Sequence, residues 1–161
     1  MAKLLLDVDG VLSVNGRERK PAGTEPPLRY FYPTDRAKTF MHWAWENFSV
    51  YWLSSLWDEA NDLAHWAHLP AVPVLKKPNI HSEKDWKLAA VKERFAETQD
   101  RVVWVEDAAC EEAREFFRGR DNWLFVRTET EIGIEERHVE EIARFAGCAP
   151  HLSDFYDVEQ F

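Results

Sequence analysis

The stretch LLLDVDGVLSVNGR, residues 4–17, places an apolar run directly before two aspartates, Asp7 and Asp9, and a glycine, Gly10. The nearly continuous apolar run from Lys3 to Val8 is typical of a strand that is buried on both faces of a parallel sheet. In an extended chain residues i and i+2 point to the same face, so the two carboxylates share one small space. Two negative charges at so short a distance are costly unless a cation neutralises them or one carboxyl group keeps its proton. The alternative is a plain turn, because aspartate before glycine is also a common turn former.

Four further apolar runs have the same character as the first. They span Ser49 to Leu53, Ala71 to Leu75, Arg101 to Val105 and Asn122 to Val126. Segments with helical spacing separate them, as shown by Ala60, Leu63, Ala64 and Ala67, and by Leu88, Val91 and Phe95. Strands that alternate with helices of this length predict right-handed βαβ crossovers. The expected fold class is therefore α/β, a three-layer Rossmann-like sandwich with a central parallel sheet.

Residues 13–33 break this alternation, because they carry glycines and prolines without a helical period. We expect a small flap there rather than a cap domain, at the end of the sheet where ligands bind in such folds. A chain of 161 residues has the size of one domain. We therefore expect a single domain at residues 1–147, followed by a C-terminal tail at residues 148–161 that packs on or near it.

Charge and composition argue against several classes of protein. The net charge of -9, from 20 Lys and Arg against 29 Asp and Glu, disfavours a protein that coats nucleic acid by bulk electrostatics, although a local basic groove stays open. No run reaches the roughly 18 apolar residues that a membrane span needs, and the N-terminus lacks a signal-peptide pattern, so the expected location is the cytoplasm. Cys110 and Cys148 predict neither a zinc knuckle nor a disulfide framework.

Polar residues also follow the second apolar run. Ser54 and Ser55 end the stretch YWLSS, before a predicted helix that opens with Trp57, Asp58 and Glu59. A hydroxyl group and free backbone N–H groups at this point can hold a phosphoryl oxygen. The alternative is an ordinary helix N-cap, above all for Ser55.

A lysine pair and a second acidic pair come later in the chain. In HSEKDWKLAAVKERF, Lys84 and Lys87 lie in the first turns of a predicted helix, where a lysine is unfavourable unless an anion or carboxylate cluster is nearby. Exposed lysines are so common that either one alone carries little weight. The stretch RVVWVEDAA ends an apolar strand on Glu106 and Asp107, which packing does not explain. A divalent cation would explain both acidic pairs.

These motifs come in a fixed order: DVDGV, a strand-ending serine, a helix lysine and a strand-ending acidic pair. In this order they resemble the haloacid-dehalogenase-like (HAD-like) phosphohydrolases over about residues 3–126. The resemblance implies a capless HAD-like fold and a Mg²⁺-dependent phosphomonoesterase that acts through an aspartyl-phosphate intermediate. It makes Asp7 the nucleophile, and Asp9 the general acid that protonates the leaving oxygen and then activates water. Ser54 and Lys87 would be the catalytic groups that hold the phosphoryl oxygens, with Lys87 preferred over Lys84 for its context, WKLAAV.

The resemblance also implies a Mg²⁺ site and substrate contacts. Mg²⁺ is expected on Asp7, Asp107 and the backbone carbonyl of Asp9, aided by Glu106, which stands where many family members carry Gly or Asp. Gly10 is expected to permit the tight turn after the first strand. The residues implied in substrate binding are Gly10, Arg17 and Ser55.

Two further likenesses concern the substrate. DVDGVLSVNGR is similar to the phosphatase domain of bacteriophage polynucleotide kinase-phosphatase, which makes Arg17 a contact for a substrate phosphate. The segments WLSSLWDEAN, VVWVEDA and TETEIGI resemble the compact HAD-like domain of multidomain RNA-repair proteins. The implied substrate is a phosphorylated nucleic-acid end or a nucleotide. Two alternatives stay open: a small-metabolite phosphatase or phosphotransferase, and a non-catalytic binding module with the same fold.

The eight tryptophans favour packing over nucleic-acid binding. We expect core positions for Trp43, Trp45, Trp52 and Trp104. A base-stacking surface needs exposed aromatic rings beside a basic groove. The cluster that hints at one lies in the flap, where packing is again the favoured interpretation, and consists of Arg29, Tyr30, Phe31 and Tyr32.

Overall fold

A computed structural model describes residues 1–14, 31–77, 86–108 and 111–150 of the chain. Most of the predicted flap at residues 13–33 lies outside these ranges, as does most of the predicted tail at residues 148–161. Arg17, Lys84 and Cys110 also lie outside them. The ends of the three strands that carry predicted site residues are all described.

Four strands form one parallel sheet in the described part of the chain. They are β1 (Lys3–Leu6), β2 (Ser49–Trp52), β3 (Val102–Glu106) and β4 (Trp123–Arg127), in the order β2-β1-β3-β4. The inner strand β1 pairs with both neighbours, so that Leu6 lies opposite Trp52 on one side and Val105 on the other. This register brings the residues that follow β1, β2 and β3 to the same edge of the sheet. The prediction of an α/β fold with a central parallel sheet is confirmed.

The predicted strand at residues 71–75 is wrong. Val74 makes an isolated parallel bridge with Trp52, and two hydrogen bonds run beside β2. In the first hydrogen bond, the N–H of Trp52 donates to the carbonyl oxygen of Pro73 over 2.9 Å. In the second, the N–H of Leu75 donates to the carbonyl oxygen of Trp52 over 2.9 Å. Pro73 has no N–H to donate, which limits the pairing of this segment with the sheet.

Five α-helices connect or follow the strands in the part of the chain that the structure describes. They are α1 (Ala37–Asn47), α2 (Ala60–Trp66), α3 (Trp86–Phe95), α4 (Glu111–Arg118) and α5 (Glu136–Ala146), with a short 3₁₀ helix at Trp57–Glu59 before α2. The two segments predicted from helical spacing are therefore confirmed as α2 and α3. No helix within the described ranges is long and apolar enough to cross a membrane.

The helices cover both faces of the sheet. Leu4 and Leu6 of β1 belong to a hydrophobic cluster that includes side chains from α1, α2 and α5, whereas Leu5 belongs to a second cluster with side chains from α3 and α4. This division follows from the alternation of side chains along a strand. The result is a three-layer arrangement whose middle layer is apolar on both faces.

The predicted core tryptophans are confirmed. Trp43, Trp52 and Trp104 are almost completely buried, and Trp45 packs against the first cluster. At the end of the predicted flap, Phe31 is also buried in that cluster, which confirms the packing interpretation for this ring. Arg29 and Tyr30 lie outside the described residues.

The connections change direction at β1. The chain passes from β1 to β2 on one side, returns to β3 on the other side of β1, and continues outward to β4. In open α/β sheets the crevice at such a point, at the carboxyl ends of the strands, is the usual place for a ligand. The residues after β1 and β3 lie at this point.

Candidate active site

Asp7 stands directly after β1 and is almost fully buried, at 5% exposure. Its Oδ1 atom accepts a hydrogen bond from the N–H of Val8 over 2.8 Å. Its Oδ2 atom lies 3.3 Å from the Nζ atom of Lys87, on the first turn of α3. Both oxygens of this buried carboxylate are therefore held by a hydrogen-bond donor or a cation, as a buried charge requires.

Lys87 also contacts Glu106, the last residue of β3. Its Nζ atom donates to Glu106 Oε2 over 2.8 Å, and the Glu106 side chain is almost fully buried. Burial lowers the pKa of Lys87, but the charges of Asp7 and Glu106 outweigh this and raise it overall. The lysine is therefore a permanent cation between two carboxyl groups. Lys87 thus lies beside the acidic groups, while its predicted catalytic role stays a prediction and Lys84 lies outside the described residues.

Glu106 lies in the same acidic group as Asp7 and Asp107. Burial and the nearby Asp7 raise the pKa of Glu106, and Lys87 opposes the rise. One oxygen from each of the three carboxyl groups lies within 4.8 Å of the others. Oxygen ligands in this number suit a hard divalent cation such as Mg²⁺, which keeps some of its water ligands.

Asp9 takes a different position from these three residues. It is exposed, and its carboxylate is not part of the close group. Burial of part of the carboxyl group, with the charges of Asp7 and Asp107, raises its pKa, and Lys87 opposes the rise. The pKa of this carboxyl group therefore responds to the charges of the site, and the rise favours its protonated form. The expected metal contact through the backbone of Asp9 stays a prediction.

Gly10 allows the chain to turn sharply beside Asp107. Its φ angle is +77°, a conformation that glycine adopts without strain. A Cβ atom built on Gly10 would lie 2.7 Å from the Cβ atom of Asp107 and closer still to its carboxyl group. The predicted turn is confirmed, and the absence of a side chain also lets Asp107 approach the loop after β1.

The two serines after β2 differ in their surroundings. Ser54 is buried at 1% exposure, and its Oγ atom accepts a hydrogen bond from the N–H of Leu56 over 3.2 Å. Ser55 is exposed, and the 3₁₀ helix that follows is capped at Leu56 without a side-chain hydrogen bond. The N-cap interpretation of Ser55 is therefore wrong, since the helix begins one residue later than such a cap requires. Phosphoryl contacts of either serine stay predictions.

Residues at and directly after the end of β4 complete the site, and the sequence analysis gave them no role in it. Thr130 Oγ1 donates to Asp107 Oδ2 over 3.0 Å, and Arg127 Nε donates to the carbonyl oxygen of Asp107 over 3.3 Å. Thr128, buried at 1% exposure, donates its hydroxyl hydrogen to the carbonyl oxygen of Gly10 over 2.7 Å. These residues line a cleft of about 450 Å³ with Asp107, Glu129 and Arg137. Their polar character at a strand end is the signal that could have found them.

No protein-family model, no curated protein and no solved structure matches this chain.

Proposed function

We propose that the protein is a Mg²⁺-dependent phosphomonoesterase of the HAD-like type, which transfers a phosphoryl group to Asp7 and then releases it to water. The observation that carries the proposal is the position of Lys87, 3.3 Å from Asp7 Oδ2 and 2.8 Å from Glu106 Oε2. Phosphoryl transfer depends mainly on positioning and on stabilising charge. A carboxylate with a half-buried lysine and two more acidic groups beside it supplies groups for both.

In the first step a carboxylate oxygen of Asp7 attacks the phosphorus of the substrate, and the bond from phosphorus to the leaving oxygen breaks. Asp9 gives its proton to that oxygen. The raised pKa of Asp9, caused by burial and then by Asp7 and Asp107, favours the protonated form that this step needs. The products are the free alcohol, an aspartyl phosphate at Asp7 and an ionised Asp9.

In the second step Asp9 acts as a base. It accepts a proton from a water molecule whose oxygen attacks the phosphorus, and the bond between phosphorus and Asp7 breaks. Inorganic phosphate leaves, and both aspartates return to their starting forms. Ser54 Oγ accepts a hydrogen bond from Leu56, so its own hydrogen is available for a phosphoryl oxygen.

The charge of the site supports a bound cation. Among the described residues, four carboxyl groups lie near one ammonium group, that of Lys87; they belong to Asp7, Asp9, Glu106 and Asp107. Asp7, Glu106 and Asp107 are the residues that would hold Mg²⁺, since their oxygens lie within 4.8 Å of one another. The ion, when bound, would offset negative charge on the phosphoryl group.

The proposed substrate is a phosphorylated nucleic-acid end or a nucleotide. Its support is the likeness of DVDGVLSVNGR and of the later motifs to phosphatase domains that act on such ends. The cleft beside Asp107 adds to it, because Arg127 and Arg137 line a space next to the acidic group. Guanidinium groups suit a second phosphate of the same molecule, although that of Arg137 also pairs with Glu129 and Glu135.

The test is release of inorganic phosphate from an aryl phosphate and from 3′- and 5′-phosphorylated oligonucleotides, with Mg²⁺ or with EDTA. We expect Mg²⁺-dependent turnover that disappears in Asp7→Asn, which keeps the shape of the side chain and removes its charge. Asp121→Asn is the matched control, because Asp121 is exposed and precedes β4, at the amino-terminal end of the strands. Turnover that is equal in wild type and Asp7→Asn contradicts the proposal, as does a folded wild type without turnover on any of these substrates.

A further inference from the structure

Two tryptophans lie in contact beside the proposed phosphate site. The ring centroids of Trp57 and Trp86 are 4.9 Å apart, and their planes meet at 33°. Trp86 begins α3 and directly precedes Lys87, whose Nζ atom lies 5.9 Å from the centroid of the Trp86 ring. Since Lys87 also contacts Asp7, the aromatic pair is one side chain away from the proposed nucleophile.

Packing of the core does not account for Trp57. All eight tryptophans lie in the described ranges, and seven of them belong to or pack against one of the two hydrophobic clusters. Trp57 does neither, and it is partly exposed. A large aromatic ring outside both clusters, at the edge of the sheet where ligands bind, needs another explanation.

The backbone of Trp57 is also strained. Its φ angle is +54°, which is a strained conformation for a bulky side chain. His68, the other described residue with a side chain and a positive φ, follows α2, where a left-handed residue commonly ends a helix. Trp57 instead begins the 3₁₀ helix, so helix termination does not explain its conformation. Strain of this kind concentrates at sites where the orientation of a group matters.

Resting on the proposed phosphohydrolase function, we propose that Trp57 and Trp86 form a stacking surface for the nucleobase next to the phosphate that is removed. Aromatic side chains bind any base through its π face, so the contact gives affinity without sequence preference. A net charge of -9 leaves little bulk attraction for a polynucleotide, and stacking on an uncharged base adds affinity that does not depend on charge. This surface lies outside the flap, whose aromatic cluster the sequence assigns to packing, and joins a residue after β2 to the first residue of α3.

The test compares two oligonucleotides whose phosphorylated terminal residue either carries a base or is abasic. We measure kcat/KM for the base-carrying substrate divided by kcat/KM for the abasic substrate, in wild type and in Trp57→Gly. Glycine accepts a positive φ, so the substitution removes the ring and the strain together. Loss of one stacked base is expected to lower the ratio at least about fivefold. An unchanged ratio in Trp57→Gly overturns the inference.

His68→Gly is the matched control. It relieves the same kind of strain at the far end of α2, away from the carboxyl edge of the sheet. We expect the wild-type ratio of kcat/KM in this variant. Equal falls of the ratio in both variants would show a general effect of the backbone and would overturn the inference.

A binding measurement separates this inference from the proposed reaction. Fluorescence anisotropy of the same two labelled oligonucleotides gives their affinity for Asp7→Asn and for Asp7→Asn/Trp57→Gly. We expect the second variant to bind the base-carrying end at least about fivefold more weakly, with a smaller change for the abasic end. Equal affinities overturn the stacking surface even if turnover is found, whereas absent turnover in wild type overturns only the reaction. The same comparison with a mononucleotide tells whether a free nucleotide shares the surface.

Discussion

Thr128 donates its hydroxyl hydrogen to the carbonyl oxygen of Gly10 over 2.7 Å, which ties the turn after β4 to the turn after β1 across 118 positions of sequence. Both groups are buried. We predict that Thr128→Val, which keeps the shape but removes the hydroxyl, lowers the free energy of unfolding by about 1–3 kcal/mol. The reason is that the carbonyl group of Gly10 loses its partner. Urea unfolding measures the change.

Thr39 in α1 offers the control for this prediction. It is also buried, but its hydroxyl oxygen has no hydrogen-bond partner among the described residues. Thr39→Val is therefore expected to be neutral or stabilising. Equal losses of stability in the two variants would show that the contact between Thr128 and Gly10 contributes nothing specific.

The ion pairs of Lys87 predict a strong effect of its removal. Lys87→Met leaves Asp7 and Glu106 buried without their cation, and we expect a loss of about 3–5 kcal/mol in the free energy of unfolding, as for other buried charges without a partner. Adding Glu106→Gln to this variant removes one of the two unpaired groups and restores part of the stability. The measurement is urea unfolding in EDTA. A double variant no more stable than Lys87→Met would contradict the account.

Binding of Mg²⁺ is expected to stabilise the fold. A ligand that binds the folded state alone adds about 2.7 kcal/mol when its concentration is 100 times the dissociation constant. We predict that the melting temperature rises with Mg²⁺ in wild type and in Asp121→Asn, and that the rise is lost in Asp107→Asn. Thermal unfolding with Mg²⁺ and with EDTA measures this. A melting temperature that does not respond to Mg²⁺ in wild type counts against the metal site.

His138 in α5 predicts a dependence of stability on pH. Burial, and then the charge of Arg137, lower its pKa below the usual value of about 6.5, although Glu135 and Glu129 oppose this. The unfolded state therefore binds a proton more readily than the folded state. The contribution of His138 to stability is complete above that usual value and is lost as the pH falls below it.

His138→Gln tests this dependence. Glutamine still accepts the hydrogen bond that the N–H of Glu135 donates at the start of α5, but it does not titrate. We predict that the free energy of unfolding falls less between pH 7.5 and pH 5.5 in this variant than in wild type. Urea unfolding at the two pH values in EDTA measures the difference. An equal fall in both proteins would refute the assignment to His138.

The sequence predicted the acidic edge of the sheet because each of its residues follows an apolar run. Asp7, Glu106 and Asp107 meet since parallel strands in register place their carboxyl ends together. Lys87 could be found in the same way, because a lysine in the first turn of a helix is unfavourable without a nearby anion. The family assignment and the reaction rest on the motifs and stay proposals.

Other parts of the site could not be predicted from local patterns. The contact of Thr128 with Gly10 depends on tertiary packing between distant segments, which a polar residue at a strand end does not reveal by itself. The segment at residues 71–75 has the composition of a strand, but Pro73 cannot donate to a neighbouring strand. The positive φ of Trp57 depends on the turn after β2, which periodicity does not describe.

The most direct test of the central claim is to trap the covalent intermediate at Asp7. The protein is mixed with a substrate carrying ³²P in its terminal phosphate, quenched in acid within one turnover, and digested for peptide mapping. We predict a label on the peptide that contains Asp7, sensitive to hydroxylamine as an acyl phosphate is, and absent from Asp7→Asn. Turnover without label on that peptide, or a label that persists in Asp7→Asn, would contradict the account.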